Sequence, residues 1–220
     1  MIMSGLTIVI PALNEGATIS NVVIKCLTVA ERVLVVDDGS TDQTGPISIA
    51  AGAIVLRHEK PEGYDSAVSD GINHAFELGA LAVVTCDADG QHRVEDVRRV
   101  SEPVLAGEAD FSAGIRNSYN RMIEAVTGLI AWKLLDTKDP FCGLKCYSKN
   151  FHQLLGRIPR EMNIGTLPLA WAKQMKLRTR FIPIAIEARL DEPRFGATMK
   201  ASYKLAKAFS RTLGFLIKGN

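Results

Sequence analysis

No run of apolar residues in this 220-residue chain approaches the roughly 20 needed to cross a bilayer. Cysteine is scarce. Cys26, Cys86, Cys142 and Cys146 show no CxxC pairing and no partner His or Cys pair, so a zinc ribbon and a disulfide framework are both excluded, and reduced, partly buried thiols are expected. No Lys/Arg run is dense enough to mark a nucleic-acid surface, and the formal net charge is only +2. GxGxxG, GxxxxGK[ST], HExxH and GxSxG are all missing, which removes most support for a dinucleotide oxidoreductase, a P-loop NTPase, a zincin or an α/β-hydrolase. The opening Met1-Ile2-Met3-Ser4-Gly5 has neither a charged n-region nor a cleavage site. A cytoplasmic location is therefore expected.

What is present reads as one soluble domain. Apolar residues make up 47% and charged residues 23% of the chain, which is ordinary globular composition. There is no internal repeat, low-complexity tract or linker. Strand-like runs occur at Leu6 to Ile10, Val33 to Val36, Ala53 to Leu56 and Ala82 to Cys86. Helical spacing occupies Ala17 to Ala30, Asp42 to Ala51, Ser66 to Leu78 and Val94 to Leu105. The strands are continuous apolar runs that alternate with helices, which predicts an α/β fold with a mainly parallel central sheet covered by helices on both faces. After about residue 107 the order is less regular: short strands are expected at 110–114 and 143–147, a helix at 122–135 and an extended segment at 177–188.

The polar clusters fall at strand ends. Asn14 and Glu15 follow the first strand, Asp37 and Asp38 close the second, and Asp87 and Asp89 close the fourth. In a parallel sheet, ligands bind beyond the carboxyl ends of the strands, where strand order reverses. Asp87-Ala88-Asp89 is the sharpest signal. Residues i and i+2 of an extended segment point to one side, and two converging carboxylates suit a hard cation shared with a phosphate. Gln91 adds a neutral oxygen. The plainer reading, a solvated Asp-Gly turn, does not explain three polar clusters on one sheet edge. Asp37-Asp38-Gly39-Ser40-Thr41-Asp42 contains capping residues, but two adjacent acids exceed what a cap needs.

The blocks TIVIPALNEGATI, VLVVDDGSTDQT and VVTCDADGQHRVED together resemble family 2 glycosyltransferases, most closely the branch of dolichol-phosphate mannose synthases and polyprenyl-phosphate glycosyltransferases. DPFCGLKCY, from Asp139 to Tyr147, looks like a downstream block of the same branch. The resemblance implies a GT-A fold and a metal-dependent enzyme moving a sugar from a UDP- or GDP-sugar to an acceptor. Pro11, Ala12, Asn14 and Glu15 would line the nucleoside pocket. Asp37 and Asp38 would hold the base or ribose, Ala88 would lie against the donor, and Asp87, Asp89 and Gln91 would hold Mg²⁺ or Mn²⁺. Arg116 would lie near the phosphates and Asp139 would face the acceptor. Arg194 and Lys200 approximate a late phosphate-binding block.

The acceptor implied is a polyprenyl or dolichyl phosphate, with inversion at the anomeric carbon. An anionic phosphate needs no general base, whereas a hydroxyl acceptor would need one, with Asp139 the candidate. Alternatives are a soluble acceptor (sugar, glycerate-type acid or protein) or a binding protein with a decayed site. A nucleotidyltransferase is disfavoured because the loop PALNEGAT carries no basic residue. Residues 199–220 are read as a basic amphipathic helix appended to a catalytic domain of 1–198. It serves either as a contact to the cytoplasmic membrane face or as packing against its own domain or a second subunit.

Overall fold

The computed structural model describes residues 1–117, 122–160, 164–185, 187, 207 and 209–216, with the backbone alone for 122–126. The first half is β1 (Met3–Ala12), α1 (Ile19–Leu27), β2 (Ala30–Asp37), α2 (Thr44–Ala50), β3 (Ile54–Arg57), α3 (Tyr64–Glu77), β4 (Ala82–Thr85) and α4 (Val94–Leu105). The second is β5 (Phe111–Arg116), α5 (Met122–Leu135), β6 (Lys145–Ser148), α6 (Lys149–Leu155), α7 (Leu167–Gln174) and β7 (Thr179–Ile184). One sheet holds all seven strands in the order β3-β2-β1-β4-β6-β5-β7. Among the described residues only β6 runs antiparallel, to β4 on one side and β5 on the other. The chain leaves β1 outward to β2 and β3, then returns to place β4 on the other side of β1, so strand order reverses there.

Side chains alternate across β1, and each face buries its own set. Ile8 and Ile10 pack with Ile19, Val22 and Val23 of α1 and Val97, Val100 and Val104 of α4. Val9 points the other way, into a cluster with Val68, Ile72 and Phe76 of α3, Phe151 of α6 and Trp171 of α7. Gly71 lets α3 approach that second face. A Cβ there would fall 2.4 Å from Val9 Cγ1 and 2.8 Å from Val36 Cγ2.

Two helices, α6 and α7, lie where no regular element was expected. The first has seven residues, too few for a periodic signal, and is set by Ser148, whose hydroxyl accepts the Phe151 amide. The second opens on Leu167-Pro168 and is buried on every side from Leu167 to Ala172, so it lacks an amphipathic stripe. The C-terminal helical residues pack on this same domain. Phe209 is buried against Phe141, Phe215 meets Trp171 edge-on, and the Thr166 and Thr212 hydroxyls bond at 2.6 Å. Lys207 and Arg211 face outward. Arg194, Lys200 and all of 199–206 fall outside the described residues. All four cysteines are free and fully buried rather than partly so. Among the described residues, no helix is long and apolar enough to cross a membrane.

Candidate active site

The adjacent parallel strands β2, β1 and β4 bring the three polar clusters to one edge. Asn14, just past β1, adopts a left-handed backbone with φ 52°, which Asn tolerates better than most residues. Its N–H donates to Ser40 Oγ at 2.9 Å, and its Oδ1 accepts the Thr41 N–H at 2.8 Å. The Glu15 N–H donates to Thr44 Oγ1 at 2.8 Å. The loop after β1 is thus stitched to the loop after β2. Pro11 is half-buried and Ala12 buried, in register with Val36 and Asp37 of β2.

Asp37 and Asp38 are both buried, and each of their oxygens meets a donor from the protein. Asp37 Oδ1 accepts the Ser40 N–H at 2.9 Å, and its Oδ2 takes Arg57 Nη1 at 2.6 Å. Asp38 Oδ1 accepts from His58 Nδ1 and the Glu62 N–H, each at 2.8 Å, and Oδ2 from the Gly63 N–H at 2.8 Å. The pair fixes the path of the chain from β2 through β3 to the start of α3.

Asp87 is different. Its side chain is 35% exposed against 5% for Asp38, so it is the acid that faces outward. Its partners are longer: the Tyr64 hydroxyl at 3.3 Å on Oδ1 and His92 Nε2 at 3.2 Å on Oδ2. Burial opposes its charge. The hydrogen bond and charge of His92, with Lys145 and Tyr64, outweigh that and hold the carboxyl below the usual carboxylate range. Gly143 backs this carboxylate, because a Cβ there would fall 2.6 Å from Asp87 Oδ2. Asp89 is buried and its Oδ1 accepts the Gln91 N–H at 3.1 Å. Gln91 is itself clamped by residue 187: the Glu187 N–H donates to Gln91 O at 3.0 Å and Gln91 Nε2 to Glu187 O at 3.2 Å. Ala88 is buried between the two acids.

Across from β4, Arg116 ends β5 and grips Asp139. Its N–H and Nε reach Asp139 Oδ2 at 3.0 and 2.7 Å, and its Nη2 reaches Oδ1 at 2.8 Å. Asp139 is buried and Arg116 nearly so. Between this pair and Asp87 lies Lys145 of β6, also buried, with its ammonium donating to the Cys142 carbonyl. Burial pushes the Lys145 pKa down, while Cys142, Asp139 and Asp87 push it back up. Of Asp37, Asp38, Asp87, Asp89 and Asp139, only Asp87 is part-exposed, with the buried Lys145 adding positive charge nearby.

Tyr64, His92, Gly143 and Lys145 carry no role in the sequence reading. Lys145 had a signal, being a lone charge inside the apolar run Leu144 to Tyr147. His92 follows Gln91 directly, but nothing in spacing tells that it turns back to Asp87. A cleft of about 250 Å³ beside Leu135, Leu169 and Phe181 shares none of these residues.

Comparisons with known proteins bear on the family and the fold. The model of the family Glycosyl transferase family 2 matches residues 7–153. The chain is 26% identical over 242 residues to a UDP-N-acetylglucosamine–dolichyl-phosphate N-acetylglucosaminyltransferase of Methanococcus voltae, covering 96% of this chain and 92% of that one. It is 31% identical over 117 residues to a polyprenol monophosphomannose synthase of Mycolicibacterium smegmatis, covering 50% of this chain and 44% of that one. Among solved structures, a glucosyl-3-phosphoglycerate synthase of Mycobacterium tuberculosis with Mn²⁺, UDP and phosphoglyceric acid superposes with a TM-score of 0.72. That match has 20% identity and covers 97% of this chain and 78% of that one, and it bears on the fold alone.

Proposed function

The chain belongs to glycosyl transferase family 2, and from that premise we propose that its acceptor is a polyprenyl or dolichyl phosphate, glycosylated with inversion. As a glycosyltransferase of this family it draws its sugar from a nucleotide-sugar donor. In the proposed arrangement the nucleoside lies over Pro11, Ala12, Asn14 and Glu15, with Asp37 and Asp38 shaping the loop beneath it and Ala88 against the donor. The diphosphate lies toward Asp87 and Asp89.

The donor set of Asp87, Asp89 and Gln91 is all oxygen, which suits Mg²⁺ or Mn²⁺. Gly143 leaves room for the Asp87 carboxylate itself, which a Cβ there would meet at 2.6 Å. An ion held there would offset the charge that builds on the departing nucleoside diphosphate. Arg116 and Lys145 add fixed positive charge on the acceptor side, where no solvent reorganisation is needed.

The observation that carries the acceptor assignment is the Arg116–Asp139 pair. Asp139 gives both oxygens to three Arg116 donors and is almost fully buried. A carboxylate so committed is a poor acceptor for a hydroxyl proton, and a phosphate needs no such base. The chain between Arg116 and Asp139 forms α5, whose Leu129, Ile130, Trp132 and Leu134 are exposed. Exposed apolar side chains on that segment favour a lipid acceptor and contact with a membrane surface.

A second reading, a soluble anionic acceptor, has one observation in its favour. The C-terminal helix packs its Phe209 and Phe215 on its own domain and keeps them from a membrane. The test is transfer of labelled sugar from UDP- and GDP-sugars with Mn²⁺, offered a short polyprenyl phosphate and phosphoglycerate side by side. Organic-soluble labelled product with inverted anomeric configuration is expected. Label found only on the soluble acid would sink the lipid assignment.

A further inference from the structure

Behind the nucleoside loop, His58 stands between two buried aspartates. Its Nδ1 lies 2.8 Å from Asp38 Oδ1, and its Nε2 lies 3.2 Å from Asp70 Oδ2. Asp38 also accepts two backbone N–H groups, as a carboxylate does, so His58 Nδ1 is a donor. That leaves Nε2 for Asp70. Both Nε2 and Asp70 Oδ2 are buried; Nε2 makes no hydrogen bond, and Asp70 Oδ2 is ion-paired with Arg160 Nη2 at 2.7 Å. They approach closely without the alignment that a shared proton requires.

An ion explains the spacing better. Two ligand atoms on a tetrahedral Zn²⁺, at the usual bond lengths, are about 3.3 Å apart. Glu62 brings a third ligand, with all three ligand atoms within 4.8 Å of one another. A carboxylate holding Nδ1 of a histidine whose Nε2 faces a cation is the usual support of a metal-bound imidazole. Arg160 occupies both Asp70 oxygens, at 2.8 and 2.7 Å, and Glu62 at 3.0 Å, so an ion entering here displaces this 54% exposed side chain toward solvent. Asp38, Asp70 and Glu62 carry three negative charges against the one of Arg160, an imbalance that a divalent cation removes.

We propose that His58, Glu62 and Asp70 form a second cation site, distinct from Asp87 and Asp89, that takes a borderline divalent ion such as Zn²⁺, with Asp38 orienting His58 from behind. An ion there ties the end of β3 and the 58–63 loop to α3, and so stiffens the loop whose amides hold Asp38. The site does not depend on the acceptor assigned above.

The test uses the whole chain stripped with a chelator and titrated with ZnCl₂ and, in parallel, CoCl₂, read by thermal unfolding and by cobalt absorption. The double variant Asp87→Asn, Asp89→Asn is expected to keep one tight equivalent, with the visible bands of a nitrogen-containing site. Glu62→Gln, at an exposed position that leaves the core intact, and Asp70→Asn are each expected to weaken Zn²⁺ binding at least tenfold. No bound equivalent in the double variant overturns the proposal. So does undiminished affinity in both Glu62→Gln and Asp70→Asn, which would assign the ion to other side chains.

Discussion

Two pairs of acids close neighbouring regions of the sheet edge, and they do opposite things. Asp37 and Asp38, at the end of β2, are buried and every oxygen is taken by Arg57, His58 or a backbone amide. Asp87, at the end of β4, is partly exposed, holds only two long contacts and rests against a glycine. In sequence the pairs look alike, as acids at the end of an apolar run before a glycine. The difference lies in the path the chain takes beyond each pair. After β2 the chain turns back through β3 and supplies donors to its own carboxylates. After β4 it passes toward α4 and supplies His92, while the other groups against Asp87 come from distant segments: Tyr64 at the start of α3, and Gly143 and Lys145. One pair is spent on holding the loop, whereas in the other Asp89 is buried and Asp87 stays part-exposed.

The comparison breaks most readily at Asp87. Asp87→Asn keeps the shape and removes the charge, and it is expected to slow sugar transfer about 10²–10³-fold, the usual effect of losing one electrostatic contact to a transition state. Its unfolding free energy should change by less than about 1 kcal/mol, as for other substitutions at part-exposed positions. Steady-state turnover beside a denaturant titration reads both. A large loss of stability with turnover intact would reverse the roles of the two pairs.

Asp38→Ala is expected to do the opposite. It strands His58 Nδ1 and the Glu62 and Gly63 amides, and breaking a buried charged network costs about 3 kcal/mol. A fall in the urea midpoint at constant slope checks this. A variant as stable as the parent that no longer binds nucleoside diphosphate would instead move Asp38 to the ligand side.

The smallest effect is expected at Gly143→Ala. The added methyl must displace the Asp87 carboxylate and so should weaken Mn²⁺-dependent binding of nucleoside diphosphate about tenfold, equivalent to about 1.4 kcal/mol. Calorimetric titration with and without Mn²⁺ measures it. An unchanged affinity would mean that the position of Asp87 does not matter to the ion.

Much of the first half was legible beforehand. The runs at 6–10, 33–36, 53–56 and 82–86 all fall within or overlap β1 to β4, because strands buried on both faces are apolar throughout and bounded by polar turns. In the second half the expected segments at 110–114, 122–135, 143–147 and 177–188 overlap β5, α5, β6 and β7. The helices α6 and α7 were not legible, because α6 is short and α7 is buried on every side from Leu167 to Ala172, so no 3.6-residue period stands out. The positions of Asp87 and Asp89 at the strand ends could be read directly. The partners of Asp87 could not, since Tyr64 is 23 residues away and Gly143 lies still farther along the chain.

Local chemistry alone therefore determined the alternating α/β order, the identity of the strand-end acids and the membership of the family, because each depends on residues adjacent in the chain. That Asp37 and Asp38 are locked while Asp87 stays part-exposed was decided only in three dimensions. That outcome depends on donors such as His58, Arg57 and Lys145, brought in by strand pairing across the sheet, and no spacing along one segment encodes where they land.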